Sequence, residues 1–350
     1  MSTTSGKRSF LPWILCAAIV IAGFAIWRYV VDSGWNADRD ASRPPVLRFG
    51  YNASNANHGP LMVAIEKGLF EKQGVAVKLF PFRRGRDITQ ALGAGQIDVA
   101  TGALSGFIAA IAQGAPVKII AMCTVGQTVV YVRPGETVKT LVDLKGKRIG
   151  MGRTTGGSGL HFQSVLQRNG LSLETDMEYV NTSREQAAMA LMMHRTIDAY
   201  VTHAYFESKL EEIGAIPLPG WESEGYLREM WPRTSVAVRS DFLNEQADVI
   251  ERFLAGYIEA HLFVRENPGE AASIIARHIT EKCEGVVTFT REEVEEAWAS
   301  LKYVVPYDTN HVRNLAHISH QLGLVDADLP AEMIVDDRFL NYLKGSMPDD

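Results

Sequence analysis

Residues 94–104 read AGQIDVATGAL and residues 194–204 read HRTIDAYVTHA. In each, an Ile-Asp pair stands between a helix-like stretch and a short apolar run that reaches a Thr, as where a helix turns into a buried strand. The two junctions point to two related α/β units. Such junctions share these residue types widely, so coincidence stays open as the alternative.

Upstream of the first junction, Leu47–Tyr51 and Val75–Phe80 read as strands, and Pro60–Phe70 as a helix with Pro60 at its first position, where no backbone donor is needed. Downstream come a helix over Ser105–Gln113 and a strand over Val117–Cys123. Val129–Arg133 followed by Pro134-Gly135 reads as the exit from a first lobe. A new series then opens with strand Arg148–Met151, a Gly-rich loop, a helix to Asn169, strand Met177–Asn181, helix Arg184–His194 and strand Ile197–Thr202. Ser235–Arg239 reads as a return strand, and the chain beyond Asp241 reads as helical. This alternation predicts an α/β fold with a largely parallel sheet in each lobe. Lobe 1 is expected over 46–133 plus 237–350, and lobe 2 over 134–236.

Residues 10–31, FLPWILCAAIVIAGFAIWRYVV, are apolar for about the 20 residues a bilayer requires. Lys7 and Arg8 precede them, which places residues 1–9 in the cytoplasm and makes 10–31 a transmembrane anchor. A cleavable signal sequence is the alternative, although the run exceeds a usual h-region of about 7–15 residues and lacks a clean small-x-small site. Residues 32–45 are polar, end in two prolines and read as a tether. The bulk is then extracytoplasmic: held to the cytoplasmic membrane, or free in the periplasm if the leader is cut.

The chain has 350 residues, 46% hydrophobic and 22% charged, enough for two cores. Its net charge of -6 argues against nucleic-acid binding, which favours a basic surplus. Cys123 and Cys283, outside the apolar leader, have neither metal spacing nor a framework, and a single long-range bridge between them stays open.

In open α/β sheets, ligands gather beyond the carboxyl ends of the strands. Four loops there carry candidates. Gly152–Phe162 reads GRTTGGSGLHF, where Thr155, Gly156, Gly157 and Ser158 start a helix whose free N–H groups and dipole suit an anion; helix capping by Ser158 is the structural alternative. Arg83, Arg84 and Arg86 surround Gly85 before a helix with Asp87 as the expected cap, and Arg86 lies nearest the helix start. Cations at that end of a dipole are disfavoured, and an anion or solvent would relieve the conflict. Asn55 and His58 stand in the first loop, Gly102 and Ser105 in the third, and Thr202 and His203 end a second-lobe strand. No nucleophile elbow, HExxH, paired Cys-x-x-Cys, Walker or Rossmann motif is present, so neither a catalytic set, a metal nor a cofactor is expected.

The runs LRFGYNASNANHGPLMVAIEKGLFEKQGVAVKLFPF, ALGAGQIDVATGAL, LVDLKGKRIGMGRTTGGSGLHF and RTIDAYVTHAYFESKL, in that order, resemble the nitrate/sulfonate/taurine-type substrate-binding proteins of ABC importers. The wider group includes proteins that bind thiamine-precursor pyrimidines. The resemblance covers residues 46–268. It implies the two-lobed periplasmic-binding-protein type 2 fold, no enzymatic activity, closure on a small anionic or polar solute, and docking to an ABC permease and its ATPase. It also implies ligand contacts from Asn55, His58, Arg86, Gly102–Ser105, Thr155–Ser158, Thr202 and His203. Where relatives often carry a Trp-Asp/Glu-Pro-like element, this chain reads Thr202-His203-Ala204-Tyr205. The same fold hosts enzymes, including pyrimidine-precursor synthases, and a tethered sensory subunit is a further reading.

Overall fold

The computed structural model describes residues 44–346, with the exception of 54–55, 83, 183–188, 190, 204–206, 222–230, 286–287, 304–305 and 307. The expected cytoplasmic stretch 1–9, membrane segment 10–31 and most of the tether lie outside the described residues. Among those described, no helix is long and apolar enough to cross a membrane.

The strands in chain order are β1 (Val46–Asn52), β2 (Ala76–Phe82), β3 (Val99–Ala103), β4 (Val117–Gly126), β5 (Thr128–Val132), β6 (Arg148–Met151), β7 (Glu178–Asn181), β8 (Ala199–His203), β9 (Ile216–Pro217), β10 (Trp231–Arg239) and β11 (Leu301–Tyr303). They form two sheets, ordered β11-β4-β10-β3-β1-β2 and β7-β6-β8-β5-β9. Both are mixed. β1 runs parallel to β3 while β10 is antiparallel to it, and β6 runs parallel to β8 while β5 is antiparallel to it.

Alternation builds the first sheet: Leu47, Phe49 and Tyr51 of β1 are all fully buried on one face. Helices cover both sides. Phe49 meets Phe253 of helix Ala247–Glu266, and Phe253 stacks on Phe70 at 4.9 Å between ring centres. On the opposite side, helices Gly85–Gly93, Leu104–Ala112 and Thr309–Gln321 bury Ile88, Phe107, Ile108 and Leu315 against Ala100 and Ala237. Burying one such large side chain is worth about 1.5–3 kcal/mol. The second sheet packs Val130, Ile149 and Val201 against Phe162 and Val165 of helix Gly157–Arg168.

Each sheet is locked at the amino ends of its strands by the same device. Arg48 of β1 sends its backbone N–H and its guanidinium to Asp98, at 3.0 and 2.5 Å, and Arg148 of β6 does the same to Asp198, at 2.9 and 2.7 Å. The Ile-Asp pair seen twice in the sequence therefore marks one structural position in two sheets. The residue before Asp is equivalent too. Ile97 and Ile197 reach over Gly50 and Gly150, where a Cβ would collide with the isoleucine side chain.

Several boundaries differ from the sequence expectation. Val129–Arg133 does not close the first lobe: β5 pairs with β8 and β9, and only Gln127 separates it from β4. The chain thus crosses between sheets at Gln127, upstream of the turn at Pro134-Gly135, which lies beyond β5 in the second sheet. The return strand begins at Trp231 rather than Ser235, because β10 is buried along nearly its whole length between β3 and β4. The helix expected over Pro60–Phe70 breaks at Gly68, whose φ of 63° separates Gly59–Glu66 from Leu69–Lys72. In the stretch expected to be helical, Leu301–Tyr303 adds an edge strand against β4. Cys123 and Cys283 are free thiols.

Candidate functional site

Helix Gly157–Arg168 starts where the two sheets approach each other. Gly156 is its N-cap and no side chain caps it, so Ser158 is not the cap that sequence allowed. The helix makes its first internal bond from Leu160 N to Gly156 O at 2.8 Å, leaving the amides of Gly157 and Ser158 as surplus donors. The preceding loop folds tightly over Gly159, where a Cβ would lie 2.6 Å from the carbonyl oxygens of Arg153 and Thr154. Only glycine admits that approach.

Freed from capping, the Ser158 hydroxyl lies 3.0 Å from His203 Nδ1 at the end of β8, and accepts a hydrogen bond from Arg233 Nη1 at 3.0 Å. In the neutral tautomer with Nδ1 unprotonated, the hydroxyl donates to His203 while it accepts from Arg233. Burial, with the Arg233 guanidinium alongside, holds His203 well below the usual histidine range, which agrees with that tautomer. Arg233 is itself 4% exposed. Its Nη2 donates to the Gln127 carbonyl and to Thr128 Oγ1, so this one side chain from the returning strand grips the outgoing crossing and the helix start together.

Trp231, two residues earlier on β10, stacks on His161 at 4.7 Å and 9°. The Cδ1 of its pyrrole edge lies 4.0 Å from where a Gly157 Cβ would stand. Its Nε1 is buried and has no hydrogen-bond partner among the described residues. From the first sheet's side, Ser105 at the start of helix Leu104–Ala112 donates to the Thr155 carbonyl at 3.1 Å.

The other sequence candidates fall around this cluster in different ways. Asn55 lies outside the described residues. His58 ends a short 3-10 turn and is 2% exposed; burial pushes its pKa down to about 4, and its Nδ1 has no partner among the described residues. Gly102 is not in a loop. It sits within β3 opposite Ser235, and a Cβ there would press on the Phe107 ring at 3.0 Å, so packing explains it. Thr202 is buried in β8 opposite Val129. Arg86 stands in the first turn of helix Gly85–Gly93, whose N-cap is Arg84 and not Asp87. It is exposed and lines an open groove of about 700 Å³ with Ser105, Arg153 and Thr155.

Two anion-attracting places therefore exist, and they are not equal. Charges in the open groove act through water, where attraction is weak and screened. At the helix start the Arg233 and Trp231 side chains are buried and the backbone donors half-buried, and there the same charge acts more strongly. Of the residues that meet at the helix start, Thr155, Gly156, Gly157, Ser158 and His203 are among the sequence candidates, whereas Arg233 and Trp231 are not. The only signal was an apolar strand opening on the polar interruption Trp-Pro-Arg-Thr, and the contact from Arg233 to Ser158 spans 75 residues.

Comparison with known proteins adds an independent finding. The profile of the family described as "NMT1/THI5 like" matches residues 55–271. A Bacillus subtilis (strain 168) protein provisionally named as an aliphatic sulfonates-binding protein is 29% identical over 245 residues, 68% of this chain and 71% of its own length. The periplasmic aliphatic sulphonate binding protein of Escherichia coli superposes with a TM-score of 0.68 at 18% identity, over 84% of this chain and 92% of that one, a likeness of fold. A shorter stretch, 27% of this chain, is 34% identical to a 4-amino-5-hydroxymethyl-2-methylpyrimidine phosphate synthase of Uromyces fabae.

Proposed function

The chain belongs to the NMT1/THI5-like family, and from that premise we propose that it is an extracytoplasmic solute-binding protein delivering a small anionic solute to an ABC importer. The observation that carries this reading is the half-buried helix start, where Ser158, His203 and the buried Arg233 meet with surplus backbone donors. Binding there is by Gly156, Gly157, Ser158 and His203, with Arg233 supplying the charge. Thr155 and Ser105 meet at the rim, and Arg86 acts from the exposed groove as an attracting charge. The relative matched over most of the chain carries a binding protein's name, which supports a receptor rather than an enzyme. Permease and ATPase subunits are the partners this role requires, and residues 10–31 would hold the protein beside them.

The stretch shared with the pyrimidine phosphate synthase favours a second reading, a pyrimidine ligand or its chemistry on the same fold. One experiment separates the two. The full-length chain is heated with propane-1-sulfonate, nitrate or a 4-aminopyrimidine, and the ligand is then recovered by mass spectrometry. Stabilisation by an anion that grows with the logarithm of its concentration, about 2.7 kcal/mol at a hundredfold excess over Kd, with ligand recovered unchanged, is the expected result. Stabilisation by the pyrimidine alone, or its conversion, would overturn the proposal.

A further inference from the structure

On the reading that this helix start binds an anion, we infer that Trp231 and Arg233 are its specificity-determining pair, two side-chain donors that select an oxyanion head group of single negative charge. Neither residue stands out in the sequence, and both come from β10, the strand by which the chain returns to the first sheet.

Trp231 is 5% exposed and its Nε1 has no hydrogen-bond partner among the described residues, a costly state for a buried N–H. Its orientation is fixed, because the indole lies flat against His161, one turn along the helix that Gly157 begins. The pyrrole edge faces Gly157, whose missing Cβ leaves the indole at contact distance from the first helical turn. An anion oxygen there would accept from the indole and from the helix amides together.

Arg233 supplies the second fixed donor. Its Nη2 is tied to the Gln127 carbonyl and Thr128 Oγ1, so the fork is held in one plane while Nη1 points to Ser158 Oγ. A bound oxyanion takes that position from the serine hydroxyl, exchanging a neutral acceptor for a charged one, which strengthens the bond. Charge counting then narrows the ligand class. Among the described residues the cluster holds one guanidinium, Arg233, and a histidine that burial and that guanidinium keep neutral, so one negative charge is balanced. A phosphonate or phosphate dianion would bury a second charge without a partner, which is strongly disfavoured. The pair therefore takes a sulfonate or carboxylate head group and rejects dianions.

The test is calorimetric titration of the full-length chain with propane-1-sulfonate and with propylphosphonate at pH 9.5, where the phosphonate is almost wholly the dianion. Wild type is expected to prefer the sulfonate by at least about tenfold. Trp231→Phe keeps the ring against His161, removes one donor and weakens sulfonate binding by about tenfold. Arg233→Gln weakens it by about a hundredfold and leaves the phosphonate still the poorer ligand, since neither anion then has a buried cation. Should that variant fail to fold, Arg233→Lys keeps the charge but loses the fork, and a loss of about tenfold is expected. Wild-type sulfonate affinity in Trp231→Phe would overturn the inference and leave the anion-binding reading standing. Wild-type protein that binds neither anion would overturn both.

Discussion

The two sheets are one design used twice, and they differ mainly where ligands would go. At the amino ends the match is residue by residue: fifty positions separate Arg48 from Asp98 and Arg148 from Asp198, with the same three bonds in each. Even the strand that crosses between sheets ends alike, because Arg133 N and Arg239 N donate to the carbonyls of Asp198 and Asp98. At the carboxyl ends the likeness stops. β3 ends on Gly102-Ala103, close-packed under Phe107, whereas β8 ends on Thr202-His203, and His203 reaches Ser158. An α/β sheet places its ligands at its carboxyl ends, so a frame kept at one end and varied at the other separates folding from binding.

The largest effect that can break this comparison comes from deleting the lock itself. Asp98→Ala and Asp198→Ala each take the buried acceptor from a partly exposed arginine and from its backbone N–H, a loss of about 2–3 kcal/mol. The second lock carries an additional cation, since Arg133 reaches Asp198 at 3.3 Å while its counterpart Arg239 turns instead to Asp241. Asp198→Ala should therefore be the more damaging. Urea denaturation of the two variants measures this, and equal losses would show that Arg133 adds nothing to the second lock.

Acid provides a smaller and reversible version of the same test. Burial raises the Asp198 carboxyl, but Arg148, its backbone N–H and Arg133 outweigh that and hold it down at about 2, from 3.8. A depressed carboxylate contributes stability that is fully present above its unfolded value and is lost as pH falls through the folded one. The window is thus roughly pH 4 down to 2, and the contribution about 2 kcal/mol. Urea midpoints for wild type and Asp198→Asn should differ at pH 6 and converge towards pH 2. A gap that persists unchanged at the acid end would assign the stabilisation to shape rather than charge.

Much of this frame could be read from the chain, because its signals are local. The Ile-Asp pair, the Gly-rich helix start and the alternation in β1 each occupy a few adjacent residues. What escaped was non-local. Nothing near Arg48 or Arg148 reveals that a carboxylate waits fifty residues on, so an arginine inside an apolar strand reads as a solvated edge. Arg233 and Trp231 were hidden for the same reason, with the added disguise of Pro232 beside them, which weakens a strand reading. Gly102 was non-local too: its lack of a Cβ makes room for Phe107.

The smallest effect lies in the turn that leads into each lock. Gly95 and Arg195 stand at equivalent places, two residues before Ile97 and Ile197, and both adopt positive φ, 73° and 57°. Glycine takes that conformation freely, whereas an L-residue meets a clash between Cβ and carbonyl of about 1–2 kcal/mol. Gly95→Ala should cost at least that much, because its Cβ would also come within 2.5 Å of Arg239 Nη1. Arg195→Gly should act the other way. It relieves the clash but gives the unfolded chain more freedom, and the balance leaves a gain of under about 1 kcal/mol, a rise in Tm of a few degrees at most. A lower Tm for Arg195→Gly would mean that the arginine side chain makes a contact worth more than the strain of its backbone, and that the two turns are alike in shape but not in what holds them.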